Sequence, residues 1–282
     1  MRADTKHALK QFGLGFLNFT IAIGLLIALQ VLAHGHLPNR ILNLLAVAIM
    51  LAAYLGGTRL IERVHLTEFD NTGGFREFAG GLVLGFCLFS ATMLLLWAFS
   101  VYHPNGWGSA SRLGAGIIAA LSAGIIEEIM FRGFLFRLIA GLAGTWWALA
   151  ITSALFGAAH AFNPGATIVS SIAIAVEAGV LLGAAYALTR RLWFPIGLHA
   201  AWNFTEGNVY GMSVSGTGAA KGFFTGTLHG PNILTGGQFG PEASLIAVLV
   251  CLSAASLILW RVVSRNRVQP PIWTRIPPPT NS

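Results

Sequence analysis

Apolar residues run along this chain in long blocks, separated by short polar or glycine-rich stretches. Eight blocks can be drawn, at about 12–33, 41–61, 79–101, 112–138, 144–162, 166–188, 192–206 and 243–263. A helix needs roughly 20 mostly apolar residues to cross a bilayer. Helices are required there because an unpaired backbone group in hydrocarbon costs several kcal/mol. The pattern therefore predicts an all-α fold, a polytopic transmembrane helix bundle of about eight spans occupying residues 1–267. The seventh block is short. It follows Arg190 and Arg191 and carries Pro195 near its first turn, where proline is tolerated.

Two stretches do not fit a span. Residues 207–242 are rich in glycine, including Gly211, Gly216, Gly218, Gly222, Gly226, Gly230, Gly236, Gly237 and Gly240. That density favours turns and irregular backbone. It reads either as a flexible outer connector or as a loop that folds back over the bundle. From Val268 to Ser282 the chain carries Pro270, Pro271, Pro277, Pro278 and Pro279 and is expected to be a disordered tail. No internal repeat is visible.

Composition agrees with a lipid-facing surface. Hydrophobic residues make up 55% and charged residues 10%, against about 25% charged in a soluble domain, and the mean hydropathy is +0.70. A net charge of +7 invites a nucleic-acid reading, but the basic residues sit at the ends of apolar blocks. Eight spans put Arg2, Lys6, Lys10, Arg59, Arg63, Arg76, Arg132, Arg137, Arg190, Arg191, Arg261, Arg265, Arg267 and Arg275 on one side. Only Arg40, Arg112 and Lys221 fall on the other. The basic side is expected to be the cytoplasm, with both termini there. Cys87 and Cys251 lie within apolar blocks without metal spacing and read as small buried apolar residues.

Ionisable residues inside spans are functional-site hypotheses by default. The fourth block holds Glu127, Glu128 and Arg132, the fifth Phe156 and His160, the sixth Glu177, and the seventh His199 and Asn203. Glu128 and Arg132 are four apart and share a helix face. Glu127 is rotated about 100° from Glu128 and can face elsewhere. His199 and Asn203 also project together. Ser122, Ala123 and Gly124, with Ala200 and Ala201, permit close helix approach. These residues would bring a carboxylate, two imidazoles and an amide into one pocket among the fourth, fifth and seventh helices. Each piece has a plainer reading: a helix-end salt bridge for Glu127, Glu128 and Arg132, an interfacial His160, an interhelical hydrogen bond from His199 and Asn203. Glu177 reads as a pocket-lining or packing residue. The other six histidines read as solvated.

The three motifs together resemble those of the CAAX prenyl protease and bacteriocin-processing family of intramembrane endopeptidases, also called the Abi family. Its Glu-Glu-x-x-x-Arg, Phe-x-x-x-His and His-x-x-x-Asn motifs stand here as Glu127-Glu128 with Arg132, Phe156 with His160, and His199 with Asn203. The resemblance covers about 112–206 and implies an eight-helix architecture, which the block count also gives. It implies that Glu127 is the general base, with His160 on the same water. His199 and Asn203 would stabilise the oxyanion, supported by Glu128, Arg132 and Phe156. No metal is needed in that reading.

A zinc alternative uses Glu127, His160 and His199 as ligands and Glu128 as base, matching the His₂Glu set of catalytic zinc sites. A catalytically silent scaffold and a small transporter are the non-enzymatic alternatives. The expected partners are the lipid bilayer and a membrane-associated protein or peptide substrate, with no nucleic acid. The expected location is a bacterial inner membrane.

Overall fold

The computed structural model of the protein describes residues 3–110, 113–218 and 222–274. Arg2, Arg112, Lys221 and Arg275 lie outside the described residues. In chain order the helices are α1 Ala3–Ala33, α2 Asn39–Gly57, α3 Gly74–Ala98, α4 Leu113–Glu128, α5 Arg137–His160, α6 Ile168–Ile174, α7 Val180–Thr189, α8 Trp193–Phe204, α9 Asn232–Thr235 and α10 Leu245–Ser264. Four π turns extend or join them, at Thr58–Glu62, Ile129–Phe136, Ala175–Gly179 and Thr205–Val209.

Among the described residues six helical stretches are long and apolar enough to cross a membrane: Thr5–Ala33, Asn39–Glu62, Gly74–Ala98, Leu113–His160, Ile168–Thr189 and Leu245–Ser264. The fourth has 48 residues and contains two of the expected spans. Gly144, at φ 83 and ψ 174, breaks it where the sequence pattern placed a boundary. Glycine is favoured there twice over: its φ is positive, and a Cβ would press on Gln269 O and Pro271. α8 with its π turn falls short of the length of a full span, but every residue from Pro195 to Trp202 is buried. With the double stretch and α8 counted, the bundle agrees with about eight helical passes. Large apolar side chains such as Leu32, Leu60, Ile168, Leu257 and Trp260 are exposed on the outer faces, the surface an integral membrane protein gives to lipid.

The buried position of α8 comes from small residues on its neighbours. Gly81 and Gly85 of α3 meet the backbone of Phe194 and Leu198, and Gly197 of α8 meets Phe78 O. A side chain at any of the three would drive the helices apart. On the other side, a Cβ at Gly124 of α4 would lie 3.2 Å from Ala200 N and Ile196 O. α8 is thus clamped between α3 and α4, which fixes the orientation of His199 and Asn203.

The glycine-rich segment folds back over the bundle. It contributes β2, Phe224–Leu228, which pairs antiparallel with β1, Tyr102–Trp107, in the register Tyr102 to Leu228 and Trp107 to Phe224. Asn163 Nδ2 donates to Ser215 O at 2.7 Å, and Gly165 N donates to Gly216 O at 3.1 Å. The two strands were not expected. Their runs are short and hold Pro104, Gly106 and Gly226, so they carry little strand signal. Two further readings need correction. Cys87 is exposed on the outer face, while Cys251 is buried. The stretch expected as the start of a disordered tail docks on α5: Thr145 N donates to Gln269 O at 2.9 Å, and Gln269 N donates to Thr145 Oγ1 at 2.8 Å. A 3-10 turn at Ile272–Thr274 comes next, and residues 275–282 lie outside the described residues.

Candidate active site

The adjacent glutamates at the end of α4 point to different partners. Glu128 is fully buried, and its Oε1 accepts from Arg132 Nη1 at 2.8 Å. Arg132, also fully buried, reaches across to the π turn between α6 and α7, where Nη2 donates to Gly179 O at 3.1 Å. Its guanidinium carbon lies 4.9 Å from the centre of the Phe156 ring. A buried charge needs hydrogen bonds; both terminal nitrogens of Arg132 have an acceptor, while Arg132 Nε and Glu128 Oε2 have no hydrogen-bond partner among the described residues. Arg132 was assigned to the basic cytoplasmic side; it sits instead in the interior as the partner of Glu128.

His199 completes this group. Its Nδ1 lies 2.9 Å from Glu128 Oε1. A carboxylate only accepts, so Nδ1 carries the hydrogen and Nε2 is left for the other side. There Nε2 stands 3.9 Å from Glu127 Oε2. His160 is oriented the same way by a different acceptor. Its Nδ1 donates to Phe156 O at 2.8 Å, and its Nε2 stands 3.8 Å from Glu127 Oε2. The Phe156 ring lies between the two imidazoles, 4.5 Å from His160 and 6.1 Å from His199 by ring centres.

Two imidazole Nε2 atoms therefore converge on one carboxylate oxygen at distances too long for a direct hydrogen bond. Glu127 Oε2 has no hydrogen-bond partner among the described residues, while the Glu127 side chain keeps 26% of its surface exposed. The spacing suits one small bridging species, a water or a hydroxide. The same three side chains form the possible zinc set. Yet among the described residues no group of three His, Cys, Asp or Glu side chains is arranged to hold a metal ion. Glu128, the base in that alternative, is buried and held by Arg132 and His199.

Glu127, His160, His199 and Asn203 all line one cleft of about 600 Å³. Its floor along α4 is made of Ala115, Gly116, Ala119, Ala120 and Ala123, and its roof of Val214, Ser215, Thr217 and Gly218 from the glycine-rich segment. All seven residues singled out in the three motifs meet at or directly behind this cleft. The other six histidines, His7, His34, His36, His65, His103 and His229, are exposed and distant in role. The sequence left open a loop folding back over the bundle, but not that it would bring Ser215 and Glu242 to the site. The scarcity of acidic residues was the available signal: with only ten in the chain, Glu206 and Glu242 stood out beside apolar blocks.

Residues 108–205, roughly a third of the chain, match the family model of the Rce1-like type II CAAX prenyl endopeptidases. The matched segment contains every motif residue named above. No curated protein matches the chain.

Proposed function

We propose that this protein is an intramembrane endopeptidase of the CAAX type, hydrolysing peptide bonds of membrane-associated or lipidated protein substrates. The observation that carries this reading is the convergence of His160 Nε2 and His199 Nε2 on Glu127 Oε2, at 3.8 and 3.9 Å, beside Asn203 in an open cleft. The family match over 108–205 supports it independently.

In this reading a water sits between the three groups. Glu127 takes its proton, His160 Nε2 accepts its second hydrogen, and the oxygen attacks the scissile carbonyl carbon. His199, with Glu128 behind Nδ1, carries a second proton on Nε2. That N–H and the Asn203 amide N–H donate to the oxyanion; one such donor is typically worth about 10²–10³ in rate. Collapse of the tetrahedral intermediate breaks the carbon–nitrogen bond, and Glu127 returns its proton to the leaving amine. The alanines and glycine of α4 that line the cleft present no bulky side chain to a bound peptide.

The test is cleavage of a panel of membrane-anchored peptides, lipidated and unlipidated, by the purified full chain in detergent, with and without a strong chelator. Cleavage that persists in chelator is expected. Loss of cleavage that zinc restores would favour the metal mechanism through Glu127, His160 and His199. No cleavage of any peptide would leave a silent scaffold as the better reading.

A further inference from the structure

The family match ends at residue 205, but residues beyond it complete the cleft. Glu242 lies in the 3-10 turn Pro241–Ala243, just before α10, and is 1% exposed. Its Oε1 accepts from Ser215 N at 2.5 Å, and its Oε2 accepts from Trp202 Nε1 at 3.4 Å. Ser215 belongs to the roof of the cleft. Trp202 sits on α8 between His199 and Asn203, and its ring packs edge-on to Phe89 at 5.0 Å. One carboxylate thus ties the roof to the helix turn that carries two of the proposed catalytic groups.

The surroundings make this tie unusual. Glu206, three residues beyond Asn203, is fully buried, and its carboxyl faces that of Glu242 rather than a Lys or Arg. Its charged neighbours are Glu242 and Glu177. Glu177 meets Cys251 Sγ at 3.5 Å through Oε1, and its Oε2 is unpartnered. Among the described residues no Lys or Arg forms an ion pair with any of the three. A chain optimised only for stability would place apolar side chains here. A small pocket of about 20 Å³ is lined by Glu177 and Glu242 together with His160, His199 and Asn203, room for about one water.

We propose that Glu242 is a positioning residue of the cleft, a latch holding the roof segment 213–217 against the turn of α8 that bears His199 and Asn203. The purpose given to the latch rests on the endopeptidase reading; its existence as a latch does not. A glutamine at 242 keeps an acceptor for Ser215 N but turns its NH2 toward Trp202 Nε1, itself a donor, so it keeps the roof tie and loses the α8 tie. An alanine removes both ties.

The experiment uses the full chain in detergent, in a Cys87→Ser background with Val214→Cys as reporter, since Cys251 is buried. Two quantities are read: the rate of labelling by a bulky hydrophilic maleimide, and KM and kcat on a cleaved peptide. Loss of a buried hydrogen bond to a charged group predicts that Glu242→Ala raises labelling and KM by about tenfold. Over the same change kcat should move less than KM, whereas a general loss of folded protein would lower apparent kcat and leave KM alone. Glu242→Gln, which keeps the tie to Ser215 N, should fall between the alanine variant and the parent in labelling and KM. If the alanine variant does not fold, Glu242→Asp replaces it with the same expectation, its carboxylate being one methylene short of Ser215 N. Labelling and KM at parental values in the alanine or aspartate variant, or a glutamine variant as impaired as either, overturns the proposal. A parent that cleaves nothing overturns the endopeptidase reading alone, and labelling then decides the latch.

Discussion

Arg132 divides the labour between two adjacent glutamates. It engages Glu128 at 2.8 Å and the Gly179 carbonyl at 3.1 Å while stacking against Phe156, so Glu128 is committed and Glu127 is free to face the cleft. The i to i+4 spacing made this pair legible from sequence; the second arm, to a carbonyl 47 positions away, was not. Breaking a buried ion pair typically costs about 3–5 kcal/mol, and Arg132→Ala is expected to lower thermal stability in detergent accordingly. Cleavage should fall with it, because His199 shares Glu128 Oε1 with the arginine. An Arg132→Ala protein with parental melting behaviour would remove the arginine from its structural role.

The helices bend and widen where buried polar groups must be fitted. Each π turn contains one: Glu62 in Thr58–Glu62, Arg132 in Ile129–Phe136, Glu177 in Ala175–Gly179 and Glu206 in Thr205–Val209, all at most 1% exposed. Such turns shift the backbone ladder and often mark functional positions. At Ala175–Gly179 the consequence is visible, since the Gly179 carbonyl receives Arg132. Apolar block length gave the helices, and the polar residues within them gave the motif side of the site. The π turns, the β1–β2 pair and the Glu242 tie were not readable, because each depends on contacts between distant segments rather than on local pattern. Gly144 is the element-scale test. A Gly144→Ala change puts a Cβ on a positive-φ extended backbone that is essentially glycine-only, at about 1–3 kcal/mol, and against the docked 269–271 stretch. A lowered melting temperature is expected; an unchanged one would mean that the break between the two spans does not depend on this glycine.

At the scale of the molecule, the site depends on a short helix that does little spanning of its own. α8 is held by glycines on α3 and α4, and the segment after it returns as the roof over the cleft. An even number of passes with basic residues concentrated on one side leads us to infer that both termini face the cytoplasm. Reporter fusions at the N-terminus and after Ser282 should then give the same, cytoplasmic signal; signals from opposite sides would require an odd number of passes. Nothing in that arrangement depends on chemistry, so topology and catalysis can fail separately.

If Glu127 activates the attacking water, Glu127→Gln separates that role from folding. Glutamine keeps the size and the cleft-facing position of the side chain but cannot take the proton. Cleavage of a membrane-anchored peptide by this variant should fall by at least about 10²-fold, the lower range for losing a general base, while its melting temperature in detergent stays near that of the parent. A folded Glu127→Gln protein that cleaves at the parental rate would contradict the account.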